Sequence, residues 1–180
     1  MSIYNRLLTV DFQLNFVKHA NLRVTLKHDT IKGIGVYATK QIKENEIVAY
    51  YILKVFEADK YVSPTNEVYT FAVFTKSGKI DDKLIADITP DCFTYPIKNV
   101  PYWGCFINEP IPKQILNTKF IPEIKKNSKM CEKNKIHAGD YVTYSVQAIR
   151  DIDIGDELTT YYGDEYKRDY VIDIPENIFI

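Results

Sequence analysis

The chain has 180 residues, a hydrophobic share of 46% and a formal net charge of −1. This length fits one domain with its own core, and the short apolar runs exclude a membrane-spanning helix. The three cysteines, Cys92, Cys105 and Cys131, are widely spaced and form no C-x-x-C pair, which argues against a disulfide framework or a zinc site and favours a reducing compartment.

Alternating apolar and polar residues predict strands in the first half of the chain. Residues 10–16 and 22–26 alternate in this way and are predicted as half-buried strands. Residues 47–55 and 68–74 are rich in Val, Tyr and Phe, which predicts two more strands. The pair Ser77-Gly78 marks a hairpin turn after them.

The second half contains more loops. Residues 140–149 and 157–162 predict a final strand pair joined at 153–156, and residues 164–170 are predicted to form about two helical turns. Prolines interrupt the preceding region at Pro90, Pro96, Pro101, Pro110, Pro112 and Pro122. No repeat or linker divides the chain, so the prediction is one mainly β domain with little helix.

Charge is distributed unevenly along the chain. Residues 113–135 carry seven lysines against two acids, whereas residues 151–176 carry nine acids against two basic residues. Such runs are usually solvated surface, so the lysine-rich stretch is predicted as an exposed loop, with substrate or nucleic-acid contact as the alternative. The acidic end favours a basic partner. The shortage of arginines and interleaved aromatics argues against sequence-specific DNA binding.

The segment Gly33–Ala38 formally matches the dinucleotide pattern G-x-G-x-x-A. That pattern requires a helix beginning at the glycine loop to hold the pyrophosphate, and the residues before the connection at 43–46 are too few and too β-like for one. Two interpretations stay open: a plain glycine turn, or a backbone that approaches a ligand closely because glycine lacks a side chain.

Two other segments contain candidate polar groups. Asn108 follows the apolar run 103–107 and precedes Glu109-Pro110, where it forms either an Asx-type turn or part of a site. Tyr161 and Tyr162 end a predicted strand before Gly163, either on opposite faces of an edge strand or facing a cleft. His19, His28 and His137 are scattered without metal-ligand spacing, and no motif for hydrolysis or phosphoryl transfer is present.

Taken in order, the three motifs resemble those of the SET-domain family. The first, GIGVYA at 33–38 with a following isoleucine and tyrosine, resembles the family's opening. Phe106-Ile107-Asn108 resembles its F-x-N core, and residues 148–163 resemble its closing motif. The resemblance covers roughly residues 22–170. It implies a β-clip fold of several small sheets with a threaded C-terminal segment, divided as 1–21 flanking, 22–166 SET domain and 167–180 flanking.

The resemblance also implies roles for particular residues. Tyr162, immediately before glycine, matches the family's catalytic tyrosine. The implied substrate-channel residues are Tyr51, Thr160, Tyr161 and Tyr166. The implied contacts to S-adenosylmethionine come from Ile34, Gly35, Val36, Tyr37, Phe106, Asn108 and Tyr162. Tyr166, Tyr170 or Phe179 is expected to close the channel, because the sequence contains no cysteine-rich module after the domain.

The implied function is S-adenosylmethionine-dependent methylation of protein lysine, with a basic tail such as that of a histone as substrate. The alternatives are an inactive SET-like module that binds peptides, and a methyltransferase for a non-histone protein. We predict no metal and no membrane partner, and the sequence leaves both a monomer and a homodimer open. The N-terminus lacks secretory features, so the predicted location is intracellular, in the nucleus or the cytoplasm.

The sequence departs from the family pattern at several positions. Glu109 stands where the family has histidine, Cys105 where it has arginine, and Asn45 where it has a turn glycine. Asn117 is expected to complete an Asn-Glu-Pro version of the central motif. Thr160 occupies the position of a phenylalanine or tyrosine that sets the degree of methylation, so mono-, di- and trimethylation stay open.

Overall fold

The computed structural model describes residues 6–63, 70–75, 77–123, 135–164, 166–172 and 174. Among the described residues, the α-helix α1 (Val10–Phe16) precedes seven strands. They are β1 (Val24–Asp29), β2 (Gly33–Ala38), β3 (Ile47–Glu57), β4 (Phe71–Phe74), β5 (Ile80–Asp87), β6 (Thr118–Pro122) and β7 (Tyr141–Ala148). Short 3-10 helices occupy Pro90–Cys92 and Gly104–Phe106. In the described part of the chain, no helix is long and apolar enough to cross a membrane.

The strands form two antiparallel sheets. Strands β1 and β2 pair alone, from Val24 opposite Ala38 to Asp29 opposite Gly33. The other five form a sheet in the order β4-β5-β3-β7-β6. One core cluster lies among α1, β1, β2 and the start of β3, and a second lies among β3, β4, β5 and β7. The mainly β class predicted from the alternation is therefore confirmed, as are the strands at 22–26 and 47–55 and the turn at Gly78.

The strand predicted at 10–16 is wrong, because this segment is α1. The Thr9 side chain caps the helix by accepting a hydrogen bond from the Phe12 amide at 3.4 Å. Gln13 is buried in the middle of the helix, and its amide donates to the Leu7 carbonyl at 2.8 Å and accepts from Trp103 Nε1 at 3.2 Å. These tertiary hydrogen bonds allow a polar residue to face the core. The helical spacing of apolar residues is therefore not visible in the sequence of this segment.

The strand predicted at 140–149 is confirmed as β7, but its predicted pairing with residues 157–162 is wrong. Strand β7 pairs with β3 and β6, whereas residues 157–160 leave that sheet. Ile152 exchanges two backbone hydrogen bonds with Ile42, and Gly155, with φ of +94°, then turns the chain toward β2. The closing segment, residues 155–163, is therefore directed away from β7 by this turn.

Three separate parts of the chain hold the closing segment. The Leu158 amide donates to Val36 of β2 at 2.8 Å, and the Thr160 amide donates to the Asn108 carbonyl at 2.9 Å. On another side, the Thr118 amide donates to the Thr159 carbonyl at 2.9 Å. The closing segment thus passes between β2, the 107–109 stretch and the start of β6.

Two further predictions need correction. The described residues of 164–172 form turns and bends rather than a two-turn helix, because Arg168 and Tyr170 are held by Glu109. The exposed loop predicted for 113–135 is wrong over its first part, where residues 116–118 are buried and β6 begins. Residues 124–134 of that stretch lie outside the described residues, as does Phe179.

Candidate active site

Tyr162 lies at the end of the closing segment with its hydroxyl directed inward. The hydroxyl donates a hydrogen bond to the Ile107 carbonyl at 2.9 Å, and the Tyr162 amide donates to Glu109 Oε1 at 2.7 Å. The residue is 39% exposed, so one side of the ring is open while the hydroxyl is enclosed. Burial, with a smaller effect from Tyr166 and Glu109, raises the pKa of Tyr162 above its ordinary value, and the hydroxyl stays protonated at neutral pH.

Glu109 is the buried residue to which the C-terminal stretch is attached. Its side chain is 1% exposed, and it accepts two bonds from Arg168, Nε to Oε2 at 3.1 Å and Nη2 to Oε1 at 2.9 Å. Tyr170 donates to Oε2 at 3.0 Å. A buried carboxylate is tolerated only when it is paired and hydrogen-bonded, and these partners satisfy that condition. Burial and the bond to Glu109 raise the pKa of Tyr170 to about 12.

Two tyrosine rings lie against Arg168, and one of them also packs against Tyr162. Tyr166 meets the Tyr162 ring edge to face, with centroids 5.0 Å apart and planes at 81°. The Arg168 guanidinium lies 5.2 Å from the Tyr161 ring centroid and 5.4 Å from that of Tyr166. The Tyr161 hydroxyl donates to Asp164, and this bond raises the pKa of Tyr161. The structure therefore brings Tyr161, Tyr162 and Tyr166 into one aromatic group.

The predicted cofactor strand β2 contacts Asn108 and the closing segment. The Asn108 side-chain amide donates to the Ile34 carbonyl at 3.0 Å and to Glu157 Oε1 at 3.1 Å. A Cβ added at Gly35 would lie 2.8 Å from Glu157 Oε1 and 3.2 Å from Asn108 Nδ2. Glycine is required at 35 by this close approach of the protein's own side chains, so the two interpretations of the motif both stay open.

Tyr37 and Val36 complete the described part of that strand. Val36 is fully buried in the first core, and its carbonyl accepts from Leu158. Tyr37 is half-buried opposite Glu157, and burial raises its pKa, with an added effect from the Glu157 carboxylate. Both residues therefore connect β2 to the closing segment.

Sequence reasoning missed a polar network beside Gly35. Lys32 Nζ lies 2.5 Å from Glu157 Oε2 and 2.8 Å from Gln114 Oε1, and Gln114 Nε2 donates back to Glu157 Oε2 at 3.0 Å. The side chains of Lys32 and Glu157 are 10% and 6% exposed. The sequence does show a lysine, Lys32, directly before the glycine motif and a glutamate, Glu157, in the closing motif. These two residues could have suggested the ion pair, whereas nothing in the local sequence indicates a role for Gln114.

Asn117 holds the closing segment from the opposite side. Its side-chain amide donates to the Glu157 carbonyl at 2.8 Å, and its side-chain oxygen accepts from the Thr159 amide at 2.8 Å. One asparagine thus replaces a strand partner for two backbone groups. This contact joins Asn117 to the segment that Asn108 and Glu109 contact, as expected for a residue that completes the central motif.

The remaining predicted site residues lie in the core around this group. Tyr51 is 4% exposed and packs against Phe71 and Phe120. Phe106 is 5% exposed and belongs to the first core cluster. Thr160 is fully buried, and its hydroxyl has no hydrogen-bond partner among the described residues. Within the described ranges, no cluster of three or more His, Cys, Asp or Glu could hold a metal ion.

Comparison with known proteins identifies the family. A family model of the SET domain matches residues 33–163, so the chain belongs to the SET-domain family. Its structure resembles ATXR5 in complex with an arginine-methylated histone H3.1, at 18% identity over 82% of this chain and 60% of that chain, with a TM-score of 0.51. It also resembles the methyltransferase domain of human PR domain-containing protein 2, at 16% identity over 86% of each chain, with a TM-score of 0.49. The search of curated proteins found no match.

Proposed function

We propose that this protein is an S-adenosylmethionine-dependent protein lysine N-methyltransferase acting on a basic tail such as that of a histone. The observation that carries the proposal is the inward hydroxyl of Tyr162, 2.9 Å from the Ile107 carbonyl. This bond joins the closing motif to the Phe106-Ile107-Asn108 motif. In this proposal, the Ile107 carbonyl and the Tyr162 hydroxyl line the end of the channel for the lysine amine.

The family resemblance assigns the proposed cofactor to the residues around β2. The backbone of 34–36, together with Tyr37, Phe106 and Asn108, would hold it, and the missing side chain at Gly35 keeps this backbone closely packed against Asn108. The cofactor would supply an electrophilic methyl group, whose bond to sulfur would break as the neutral lysine amine attacks, leaving a neutral thioether. Carbonyl and hydroxyl oxygens suit this methyl group, because they make weak C–H···O contacts to a polarised methyl.

Tyr162 orients the reacting groups in this proposal. Because its O–H proton is donated to Ile107, its oxygen lone pairs are directed elsewhere and can accept from the substrate amine. Free lysine has a pKa near ~10.4, and burial beside a cation lowers it toward neutrality. The amine proton can then leave to solvent before transfer, and no dedicated general base is required. The rings of Tyr162 and Tyr166 would contact the lysine stem.

The charge of the C-terminal part supports a basic substrate. Residues 151–176 carry nine acids against two basic residues, and Asp153, Asp156, Asp164 and Asp169 are exposed. An acidic surface beside a site attracts a positively charged peptide and speeds its association. ATXR5, which shares the fold, was solved with histone H3.1, and a histone tail is therefore the first substrate to test.

The test is methyl transfer from labelled S-adenosylmethionine to recombinant histones and to a panel of basic non-histone proteins. We expect transfer by the wild type and its loss by at least about a hundredfold in Tyr162→Phe. Tyr95→Phe is the matched control, because Tyr95 is 70% exposed and lies on the Phe16 ring. Absence of transfer to every protein, with the cofactor bound normally in calorimetry, would contradict the proposal. Transfer to non-histone proteins alone would contradict the histone substrate and support methylation of a non-histone protein.

One observation favours an inactive peptide-binding module as the second candidate. The space beside Gly35 holds the Glu157 carboxylate, and the Asn108 amide is already bonded to Glu157 and Ile34. Calorimetry separates the candidates: binding of a histone peptide without binding of S-adenosylmethionine supports the module. Binding of both supports the enzyme.

A further inference from the structure

The Glu109 carboxylate joins two parts of the site that are distant in sequence. Oε1 accepts from the backbone amide of Tyr162 at 2.7 Å, and Oε2 accepts from the Tyr170 hydroxyl at 3.0 Å. Arg168 bonds both oxygens. A single buried group therefore contacts the predicted catalytic tyrosine and the chain eight residues beyond it.

The described residues of the C-terminal stretch have few other polar contacts that hold them in place. Its described residues from 164 onward form turns and bends, and Asp164, Tyr166, Lys167 and Asp169 are exposed. Arg168 provides the largest share of its described polar contacts, through Glu109 and through Nη2 donating to the Gly163 carbonyl at 2.7 Å. Because exposed turns open easily, the position of Tyr166 against Tyr162 depends on the Arg168–Glu109 pair.

The chemistry of this pair suits such a role. The pair is bidentate and its side chains are 15% and 1% exposed, so water screens it little and its geometry is directional. The Arg168 guanidinium also lies against the rings of Tyr161 and Tyr166. Breaking the pair would leave a buried carboxylate without its counter-charge and would remove the support of both rings.

We propose that Glu109 is a positioning residue, which sets the backbone of Tyr162 and, through Arg168 and Tyr170, holds the C-terminal stretch as a wall of the substrate channel. The C-terminal stretch is held in place by the Glu109 carboxylate, at the position where the family has histidine. The kinetic part of this inference rests on the proposed methyltransferase function, whereas the ordering of the stretch does not. The two oxygens overlap in part: Arg168 bonds both of them, Tyr170 bonds Oε2, and the Tyr162 backbone is held by Oε1.

The first measurement is hydrogen exchange of peptides that contain Tyr162 and Tyr166, read by mass spectrometry on the full chain. Arg168→Ala and Glu109→Ala are expected to speed exchange there by about tenfold or more. Lys167→Ala is the control, because its exposed side chain neighbours Arg168, and it should leave exchange unchanged. Unchanged exchange in both Arg168→Ala and Glu109→Ala would overturn the proposal, whether or not the protein transfers methyl groups.

The second measurement separates positioning from general stability. In Arg168→Ala we expect KM for the peptide to rise about tenfold while kcat and the cofactor Kd change less than about threefold, because Oε1 still holds Tyr162. Glu109→Ala should lower kcat about tenfold as well, and Arg168→Lys should recover part of the KM. Equal losses in kcat and cofactor binding for both variants would indicate a merely structural role and overturn the proposal. If the wild-type protein transfers no methyl group, the proposed function is contradicted. The hydrogen-exchange data alone then decide whether Glu109 has the positioning role.

Discussion

Removing Lys32 from its ion pair with Glu157 should destabilise the fold far more than removing one partner of a surface pair of similar geometry. Lys32 Nζ and Glu157 Oε2 are 2.5 Å apart with side chains 10% and 6% exposed, whereas Lys43 Nζ and Asp151 Oδ2 are 2.7 Å apart with side chains 58% and 52% exposed. The two pairs differ mainly in burial. We therefore predict that Lys32→Met destabilises the protein strongly and that Lys43→Met does not.

The magnitude follows from what Glu157 retains. Removing one partner of a buried pair typically costs about 3–5 kcal/mol. Because Asn108 and Gln114 still donate to the Glu157 carboxylate, the lower end applies, about 3 kcal/mol. The double variant Lys32→Met/Glu157→Gln leaves no buried charge uncompensated. It should therefore recover about half of the stability that Lys32→Met loses.

Urea unfolding at 25 °C measures this directly, with fluorescence of Trp103 as the probe. Trp103 is the single tryptophan and is 1% exposed, so its emission should change on unfolding. With a slope of about 2 kcal/mol/M, Lys32→Met should lower the urea midpoint by about 1.5 M. The midpoint of Lys43→Met should stay within the error of the fit. Equal midpoints for the two single variants would refute the reasoning that burial decides how much stability is lost when the lysine is removed.

Two further predictions concern other buried polar groups. Burial raises the pKa of Asp87 above 3.8, so its stabilising contribution is fully present below that pH and is lost as pH rises through the folded pKa. Asp87→Asn should therefore gain stability relative to wild type between about pH 4 and pH 7; urea midpoints across this range check it, and a flat or opposite trend contradicts it. Thr160→Val removes a buried hydroxyl without a described partner and should be neutral or stabilising by up to about 1 kcal/mol. Thr159→Val is its control, because the Thr159 hydroxyl donates to the Ile115 carbonyl at 2.9 Å; it should lose about 1 kcal/mol, and equal losses in thermal unfolding would contradict the prediction.

Local patterns predicted those elements whose environment is regular. The alternation at 22–26 and the β-rich run at 47–55 each predicted a strand, because one side of each faces a core cluster. The same alternation at 10–16 was misleading. In α1 the polar Gln13 is buried through bonds to Leu7 and Trp103, and its neighbours alone could not indicate this.

The candidate site was likewise predicted only in part from the sequence. The order of the glycine, asparagine and tyrosine motifs sufficed to indicate the family, which the match over 33–163 confirms. The environments of those residues came from distant parts of the chain. Glu109 appeared in sequence only as a departure from the family, and its partners Arg168 and Tyr170 follow about sixty residues later.

The sequence by itself determined the mainly β class, the family and the candidate tyrosine, because periodicity, turn glycines and motif order are local or sequential properties. Only the tertiary structure decided that β7 pairs with β3 and β6, that the closing segment passes between β2 and Asn117, and that Lys32 meets Glu157. The physical reason is that buried charges and backbone groups must find partners wherever packing brings them. Nothing in the local sequence specifies which distant residue supplies the partner.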